Sequence, residues 1–203
     1  VLLKQSDMGL KELNEGQEIL TELLVHFPEA ELVDQIGYLL GNIAQEQNKW
    51  DDAVLTYRRI TRDYPESIIA ADSQYKIAMC YEKKGEFDIA CEEYVRLAYK
   101  FPQSDLVSDS MIRIGLYYFN KKKYEIALLV FQRFTEKFEE HSSVEKVAFK
   151  MGLCYILSEQ FIDGGDHFKG FVDKYAESEL RPAALYWAGD SYLKGGNALF
   201  SYQ

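Results

Sequence analysis

The sequence predicts an all-α fold in which antiparallel helical hairpins stack into a curved solenoid. Three observations support this prediction: landmark residues recur every 37 residues, an aromatic residue separates successive periods, and only four prolines interrupt 203 residues. One hairpin cannot bury its own apolar face, so neighbouring hairpins must stack against it.

The aromatic residue at the end of each period is the clearest landmark. At steps of 37 residues it recurs as Phe27, Tyr64, Phe101, Phe138 and Tyr175. Proline follows the first three of them, as Pro28, Pro65 and Pro102. Because proline cannot continue a helix, each such pair predicts the end of a hairpin.

Small and aromatic residues also recur within the period. The first helix carries the small residues Gly41, Ala78, Gly115, Gly152 and Gly189. Three residues later it carries Ala44, Tyr81, Tyr118, Tyr155 and Tyr192. The second helix carries Ala53, Ala90, Ala127 and Gly164, and after each of them Tyr57, Tyr94, Phe131 and Phe168. Small residues predict the points where two helix axes approach closely.

The second period shows how each hairpin is expected to begin and end. Its first helix is predicted from about Ser67, as N-cap, to Lys84, with Gly85 after the last basic residue. Its second helix is predicted from Phe87 to Tyr99.

The fourth period has two features of its own. Ser142 and Glu145 have the spacing of a capping box. Its second helix contains Gly164, Gly165 and Gly170, each unfavourable in a helix by about 1 kcal/mol relative to alanine. We expect this unit to be the least stable or the site of a bend, with simple sequence drift as the alternative.

The period divides the chain into one predicted solenoid over residues 1–203. Partial units at 1–29 and 178–203 flank the complete units 30–66, 67–103, 104–140 and 141–177. The sequence begins at Val1 without Met and stops at Gln203 inside the pattern, so we expect a fragment of a longer protein.

Composition excludes several classes of partner. The 33 acidic residues outnumber the 23 basic ones, giving a net charge of −10, which disfavours binding to nucleic acid. No segment approaches the roughly 20 uninterrupted apolar residues of a membrane-spanning helix, so no direct membrane insertion is expected.

Catalytic and metal sites are not expected either, and neither is a cofactor. The histidines occupy three unrelated positions of the period, as His26, His141 and His167. The three cysteines are expected to be free, buried thiols, with Cys91 facing Cys80 across one hairpin as the remaining candidate for a disulfide. Adjacent carboxylates diverge by about 100° on a helix, which predicts a solvated face at Asp51-Asp52, Glu92-Glu93 and Glu139-Glu140.

The pattern resembles the tetratricopeptide repeat over almost the whole chain. The residues that carry the resemblance are Ala78, Tyr81, Phe87, Ala90, Tyr94 and Pro102. The family repeat has about 34 residues, so we expect the three additional residues to extend the start of the first helix. The resemblance implies a right-handed superhelix that binds other proteins in a concave groove lined by the first helices.

The resemblance also implies which residues face this groove. They are Tyr75, Met79, Ile112, Arg113, Leu116, Phe119, Phe149, Lys150, Leu153 and Ile156. We expect Phe119, Phe149 and Ile156 to anchor a peptide or helix. Alternatively, the longer helices rotate these apolar residues into the core.

Basic residues form a second predicted column of the groove. They are Lys76, Arg113 and Lys150, with Lys146 beside them. Arg113 and Lys150 are expected to orient the bound segment, although such residues can simply keep a helix face soluble. Asn42 matches one residue of the clamp that some family members use for a terminal carboxylate, but no basic residue accompanies it.

A narrower resemblance concerns the cellular location. The Tyr64, Pro65 and Ser67 punctuation is similar to repeats in bacterial envelope proteins, namely the Tol–Pal coordinator and the outer-membrane assembly lipoprotein. If this likeness holds, the protein is periplasmic or envelope-associated; otherwise it is cytoplasmic.

The sequence therefore favours a non-catalytic scaffold that binds a peptide or helix of a partner protein. Two alternatives stay open at this point. The array can be a structural spacer that self-assembles into a homo-oligomer through open repeat ends. It can also be the regulatory repeat domain of a larger envelope protein or enzyme.

Overall fold

A computed structural model describes the backbone of residues 2–28 and 32–201, and the side chains of 9, 11–28 and 32–196. The predicted unit boundary at residues 29 and 30 and the two chain ends lie outside these residues. The described residues form ten α-helices and no strand, which confirms the predicted all-α class. The helices are α1 Leu2–His26, α2 Val33–Glu46, α3 Trp50–Asp63, α4 Ala70–Lys83, α5 Phe87–Lys100, α6 Leu106–Asn120, α7 Tyr124–Lys137, α8 Val144–Leu157, α9 Phe161–Lys174 and α10 Arg181–Ser201.

The helices fall into two compact units, Val1–Val107 and Ser108–Gln203. The first unit contains α1 to α5, and the second contains most of α6 and all of α7 to α10. Each complete 37-residue period holds two helices joined by a short turn, such as α4 with α5 and α8 with α9.

The small residues allow the two helices of a hairpin to meet. A Cβ atom added to Gly41 would lie 2.5 Å from Tyr57 Cε1, and one added to Gly152 would lie 2.5 Å from Phe168 Cζ. Tyr57 and Phe168 are fully buried. The predicted close crossing of helices is confirmed at these positions, because any larger side chain would collide with an aromatic ring.

Two hydrophobic clusters form the core of the second unit. The α7–α8 cluster consists of Ala127, Leu128, Phe131, Phe134, Val144, Val147, Met151 and Cys154. The α8–α10 cluster consists of Ile156, Phe168, Phe171, Val172, Ala184 and Ala188. In the first unit, α2 to α4 share a similar cluster around Tyr57, Ile60 and Ile77. Each cluster joins consecutive hairpins, as stacking requires.

The predicted start of the first helix is wrong. α4 begins at Ala70, and residues 65–69 form turns in which the Ser67 N–H donates to Tyr64 O at 3.0 Å. The Ser67 hydroxyl accepts a hydrogen bond from the Ile69 N–H at 3.3 Å, so it supports this turn instead of capping the helix. The additional residues of the period therefore lie in the turn between hairpins.

The capping box predicted at Ser142 and Glu145 is also wrong. The N-cap of α8 is Ser143, and its side chain caps no backbone N–H. The Glu145 carboxylate instead accepts a hydrogen bond from the Ser178 hydroxyl, and Ser67 donates to Asp34 in the same way at 2.5 Å. These serines tie the turn before one hairpin to the first helix of the preceding hairpin.

The glycines of α9 have different environments. An added Cβ would lie 3.1 Å from Ile156 Cγ1 at Gly164 and 2.9 Å from Tyr192 Cε1 at Gly165, so both permit close packing of neighbouring helices. At Gly170 an added Cβ would meet no atom within 4 Å in the described part of the chain. Helix packing therefore explains why glycine occupies two of these three positions. Sequence drift, the alternative given above, is not needed for those two.

Candidate partner-binding face

The second unit brings together most of the residues predicted to face a groove. They lie on its first helices, α6 and α8, and we call them the α6–α8 face: Ile112, Arg113, Leu116, Phe119, Phe149, Lys150 and Leu153. The remaining predicted residues are Tyr75 and Met79, which lie on α4 in the first unit, and Ile156, which lies further along α8.

The apolar residues of α6 are held on the α7–α8 cluster. Ile112, Leu116 and Phe119 are all half-buried and pack against it. The Phe119 ring also meets the Tyr124 ring at 5.5 Å in an edge-to-face arrangement. These side chains are fixed by the core on one side, and each keeps part of its apolar surface accessible to a partner.

A lysine lies over the aromatic ring in the middle of this face. The Nζ atom of Lys150 is 4.6 Å from the centroid of the Phe119 ring, which is cation–π geometry. Lys150 is on α8 and Phe119 is on α6, so this contact joins the two helices. It places a positive charge directly beside the apolar residues.

The apolar residues of α8 are held more firmly. The Phe149 ring meets the rings of Phe168 at 5.2 Å and Phe171 at 5.7 Å. Phe149 and Leu153 are half-buried, whereas Ile156 is 7% exposed within the α8–α10 cluster. The alternative given above, that the apolar residues rotate into the core, therefore applies to Ile156. This residue has little accessible surface left to contact a partner.

The aromatic position occupied by Phe149 has a structural role in other hairpins too. The ring of Tyr38 meets that of Tyr57 at 5.7 Å, and the ring of Tyr75 meets that of Tyr94 at 5.4 Å. In each case the ring on the first helix packs on the buried ring of the second helix. A substitution at this position would therefore disturb the hairpin as well as any bound partner.

Asn42, which matched part of a carboxylate clamp, is already engaged within the first unit. Its Oδ1 accepts a hydrogen bond from the Tyr57 hydroxyl at 2.8 Å. Beside it, the Tyr38 hydroxyl donates to the Asp72 carboxylate. Burial, followed by the hydrogen bond to Asp72, raises the pKa of Tyr38 and keeps the hydroxyl protonated.

The thiols are poor nucleophiles. Cys80, Cys91 and Cys154 are buried and free, which confirms the predicted free thiols. Burial raises the pKa of Cys91 to about 11 and that of Cys154 to about 12, so neither forms much thiolate at neutral pH.

The three histidines bond to backbone atoms. His26 and His141 do so within four residues of their own positions, whereas His167 on α9 bonds to the Ala148 carbonyl on α8. In the part of the chain that the structure describes, no group of three His, Cys, Asp or Glu side chains could hold a metal ion.

One carboxylate that was predicted to be solvated is buried. Glu93 is 2% exposed, and its carboxylate accepts hydrogen bonds from Gln74 at 2.7 Å, Arg58 at 2.6 Å and Arg96 at 2.7 Å. Its neighbour Glu92 is exposed, as the 100° step between adjacent helical residues requires. The sequence signal that could have indicated this burial is a pair of arginines. Arg96 lies one helical turn after Glu93, and Arg58 lies in the preceding hairpin.

The family to which this architecture belongs can be tested by comparison with known proteins. A model of the tetratricopeptide repeat matches residues 36–67 and 72–104. The match covers less than half of the chain. Its two segments coincide with α2–α3 and α4–α5, so these two hairpins of the first unit match the tetratricopeptide repeat in sequence.

Solved structures, two of them described as tetratricopeptide proteins, resemble a larger part of the chain. A tetratricopeptide repeat protein from Parabacteroides merdae aligns with a TM-score of 0.62 and 17% identity over 96% of this chain and 72% of its own. YrrB, described as a tetratricopeptide protein with an unusual peptide-binding site, aligns with 0.62 and 16% over 89% and 86%. BtubC from P. vanneervenii aligns with 0.61 and 17% over 94% and 84%.

These likenesses establish the fold of helical hairpins in both units. Their identities are too low to carry a function from one protein to another. A search of curated proteins finds no match to this chain. Among the helices of the described residues, none is both long enough and apolar enough to cross a bilayer.

Proposed function

We propose that this chain is a non-catalytic interaction module that binds an extended peptide or helix of another protein on the α6–α8 face. The observation that carries the proposal is the position of Lys150 over Phe119, beside the half-buried Leu116 and Leu153. Apolar residues flanking a positive charge fit a segment with an apolar anchor and a nearby carboxylate. The peptide-binding site described for YrrB supports this type of partner.

The α6–α8 face is positively charged, although the protein as a whole is negatively charged. The protein carries a net charge of −10, yet Arg113, Lys146 and Lys150 lie within or beside this face. The negative net charge opposes the approach of an acidic segment, whereas the basic side chains of this face would attract its carboxylates. Because Ile156 is buried, we expect Leu116, Phe119 and Leu153 to make the apolar contacts with the partner.

The test uses peptides selected for binding to the wild-type chain from a random displayed library. Affinity is then measured by calorimetry for Lys150→Glu and for the control Lys169→Glu, which makes the same charge change at an exposed position of α9. We expect a loss of about tenfold or more for Lys150→Glu, because a carboxylate on the peptide would now be repelled. Equal affinities for the two variants would remove the α6–α8 face from the proposal.

A second candidate function, self-assembly, is favoured by α10. Leu185, Tyr186 and Leu193 are 51%, 65% and 71% exposed on this helix. Such a cluster of apolar side chains could bind a second copy of the chain. Sedimentation equilibrium of wild type and Leu193→Glu tests it: a wild-type oligomer that the substitution dissociates supports self-assembly, and a monomeric wild type at all concentrations excludes it.

The bacterial envelope location stays a prediction of the sequence. The similarity of the Tyr64, Pro65 and Ser67 punctuation to envelope repeats is its support. Fractionation of the native cells, with antibodies against this chain, would test it directly.

A further inference from the structure

The second unit contains a cavity of about 290 Å³ between α7, α8 and α9. The residues of its wall that matter here are Ala148, Met151, His167, Gly170, Phe171 and Lys174. None of them belongs to the α6–α8 face, so this site is distinct from that of the proposed function, although the Phe171 ring contacts Phe149 of that face.

The cavity exists because Ala148 and Gly170 are smaller than their counterparts in another hairpin, and because His167 replaces a carboxylate that is part of a hydrogen-bond network there. Two 37-residue periods earlier, the positions of Ala148, His167 and Gly170 are occupied by Gln74, Glu93 and Arg96. There the Glu93 carboxylate accepts hydrogen bonds from both Gln74 and Arg96 and fills the space between the helices. The hairpin of α8 and α9 lacks the amide, the carboxylate and the guanidinium together.

Gly170 leaves one side of this cavity open, and no packing contact requires glycine at this position. An added Cβ would meet no described atom within 4 Å, in contrast to Gly164 and Gly165 in the same helix. A glycine inside a helix is unfavourable by about 1 kcal/mol relative to alanine. The glycine thus destabilises α9 locally, and its structural consequence is access to His167 and Phe171.

The wall combines apolar side chains with the half-buried His167 ring, and its Asp166 and Lys174 side chains are exposed to solvent. Met151 and Phe171 supply apolar surface. The Nε2–H of His167 donates to the carbonyl oxygen of Ala148 at 2.7 Å, because a carbonyl can only accept. Burial lowers the pKa of His167, so the ring is neutral at neutral pH and its Nδ1 atom is an acceptor. Within the described residues, no donor is bonded to this Nδ1 atom.

Three other polar side chains of the wall have partners of their own. The Thr135 hydroxyl donates to Gln132 O at 2.9 Å, and the Asp166 carboxylate accepts from the Tyr192 hydroxyl at 2.5 Å. Lys174 lies over the Tyr175 ring at 5.4 Å. A ligand would therefore be recognised by the His167 acceptor and by apolar contact.

We propose that this cavity binds an aromatic ring carrying a single hydrogen-bond donor, of which a phenol is the simplest example. The ring contacts Met151 and Phe171, and its hydroxyl donates to Nδ1 of His167. A volume of about 290 Å³ lies at the lower end of the range for small-molecule sites, which suits a single ring. The same chemistry is available from a free phenolic compound and from a tyrosine side chain of a partner.

The test measures binding of three probes to the wild-type chain by NMR, observing the Met151 methyl and the His167 ring. The probes are 4-ethylphenol, ethylbenzene and the pentapeptide Gly-Gly-Tyr-Gly-Gly. We expect saturable binding of 4-ethylphenol, and ethylbenzene at least about tenfold weaker because it leaves the His167 acceptor unpaired. Equal binding of the two would overturn the role of His167. A peptide that binds as tightly as 4-ethylphenol identifies a tyrosine side chain as ligand, and a much weaker peptide identifies a small molecule.

Two substitutions locate the binding. Gly170→Arg restores the side chain that α5 carries at the corresponding position and should weaken 4-ethylphenol binding by at least about tenfold, because it fills the entrance. Gly189→Arg, at an open and exposed position of α10, is the control and should bind as wild type does. Absence of saturable binding to the wild type, or equal binding to both variants, would overturn the proposal.

Discussion

At the scale of single residues, the half-buried His167 makes the stability of the second unit sensitive to pH. Burial lowers its pKa below the ordinary value of about 6.5, although the hydrogen bond to Ala148 opposes this effect. Between the folded and unfolded pKa values, the unfolded chain binds more protons than the folded chain. The free energy of unfolding therefore falls as the pH drops below about 6.5.

The variant His167→Gln isolates this effect, because the other titrating groups remain. We expect the free energy of unfolding to fall more for wild type than for His167→Gln between about pH 7.5 and about pH 5. Urea denaturation at the two pH values measures the difference. The same decrease in both proteins would show that His167 is not held neutral.

Gly152 and Gly189 occupy the same position of the period but have different neighbours. An added Cβ at Gly152 collides with Phe168, whereas at Gly189 it meets no described atom within 4 Å. We expect Gly152→Ala to destabilise the chain by about 1–3 kcal/mol through overpacking. Gly189→Ala should stabilise it by up to about 1 kcal/mol, since alanine is the better helix former. Thermal denaturation would contradict this account if both shifts had the same sign.

The recurrence of small and aromatic residues predicted such contacts from the sequence, because packing at a helix crossing leaves few alternatives. The fates of Glu93, His167 and Gly170 could not be predicted in the same way. The contacts of Glu93 and His167 are made with other helices, and the residues that provide them differ between hairpins at the same position of the period. Gly170 is exposed, and no packing contact requires it to be glycine. A repeat pattern predicts the contacts that all hairpins share, but not the contacts that are specific to one hairpin.

At the scale of elements, the buried Glu93 carboxylate connects α3, α4 and α5. It accepts hydrogen bonds from Arg58, Gln74 and Arg96, one residue from α3, one from α4 and one from α5 itself. Removing one partner of a buried charge network is more costly than removing a surface ion pair.

The pair Glu93→Gln and Glu92→Gln tests this connection with matched chemistry. We expect Glu93→Gln to lower the free energy of unfolding by about 2–4 kcal/mol, less than a fully buried pair would, because both arginines are partly exposed. The exposed Glu92→Gln should change it by less than about 0.5 kcal/mol. Chemical denaturation of the two variants provides the comparison, and similar losses for both would contradict the role of Glu93.

The order of the helices was predictable, whereas their first turns were not. The second helix of the second period begins at Phe87, as its sequence predicted. Ser67 and Ser142 have the residue type of a helix cap, but the turn between hairpins uses Ser67 for its own hydrogen bonds, and α8 begins without a side-chain cap. Local residue type cannot distinguish a cap from a turn when both use the same hydroxyl.

At the scale of the molecule, binding depends on how charge and apolar surface are distributed. The net charge of the protein is −10, whereas the α6–α8 face carries Arg113 and Lys150 among apolar residues. The apolar side chains exposed on α10 form a second surface, which would serve self-assembly. The residues of the α6–α8 face were predicted from the family resemblance. The sequence did not indicate which predicted residue, namely Ile156, would be buried in the core.

The measurement that tests the central claim most directly is methyl NMR of the wild-type chain with a selected peptide at saturation. If the peptide binds the α6–α8 face, the largest shift changes occur at the methyl groups of Ile112, Leu116 and Leu153. The methyl groups of Leu185 and Leu193 on α10 should change little. Changes confined to α10, with none on the α6–α8 face, would contradict the account.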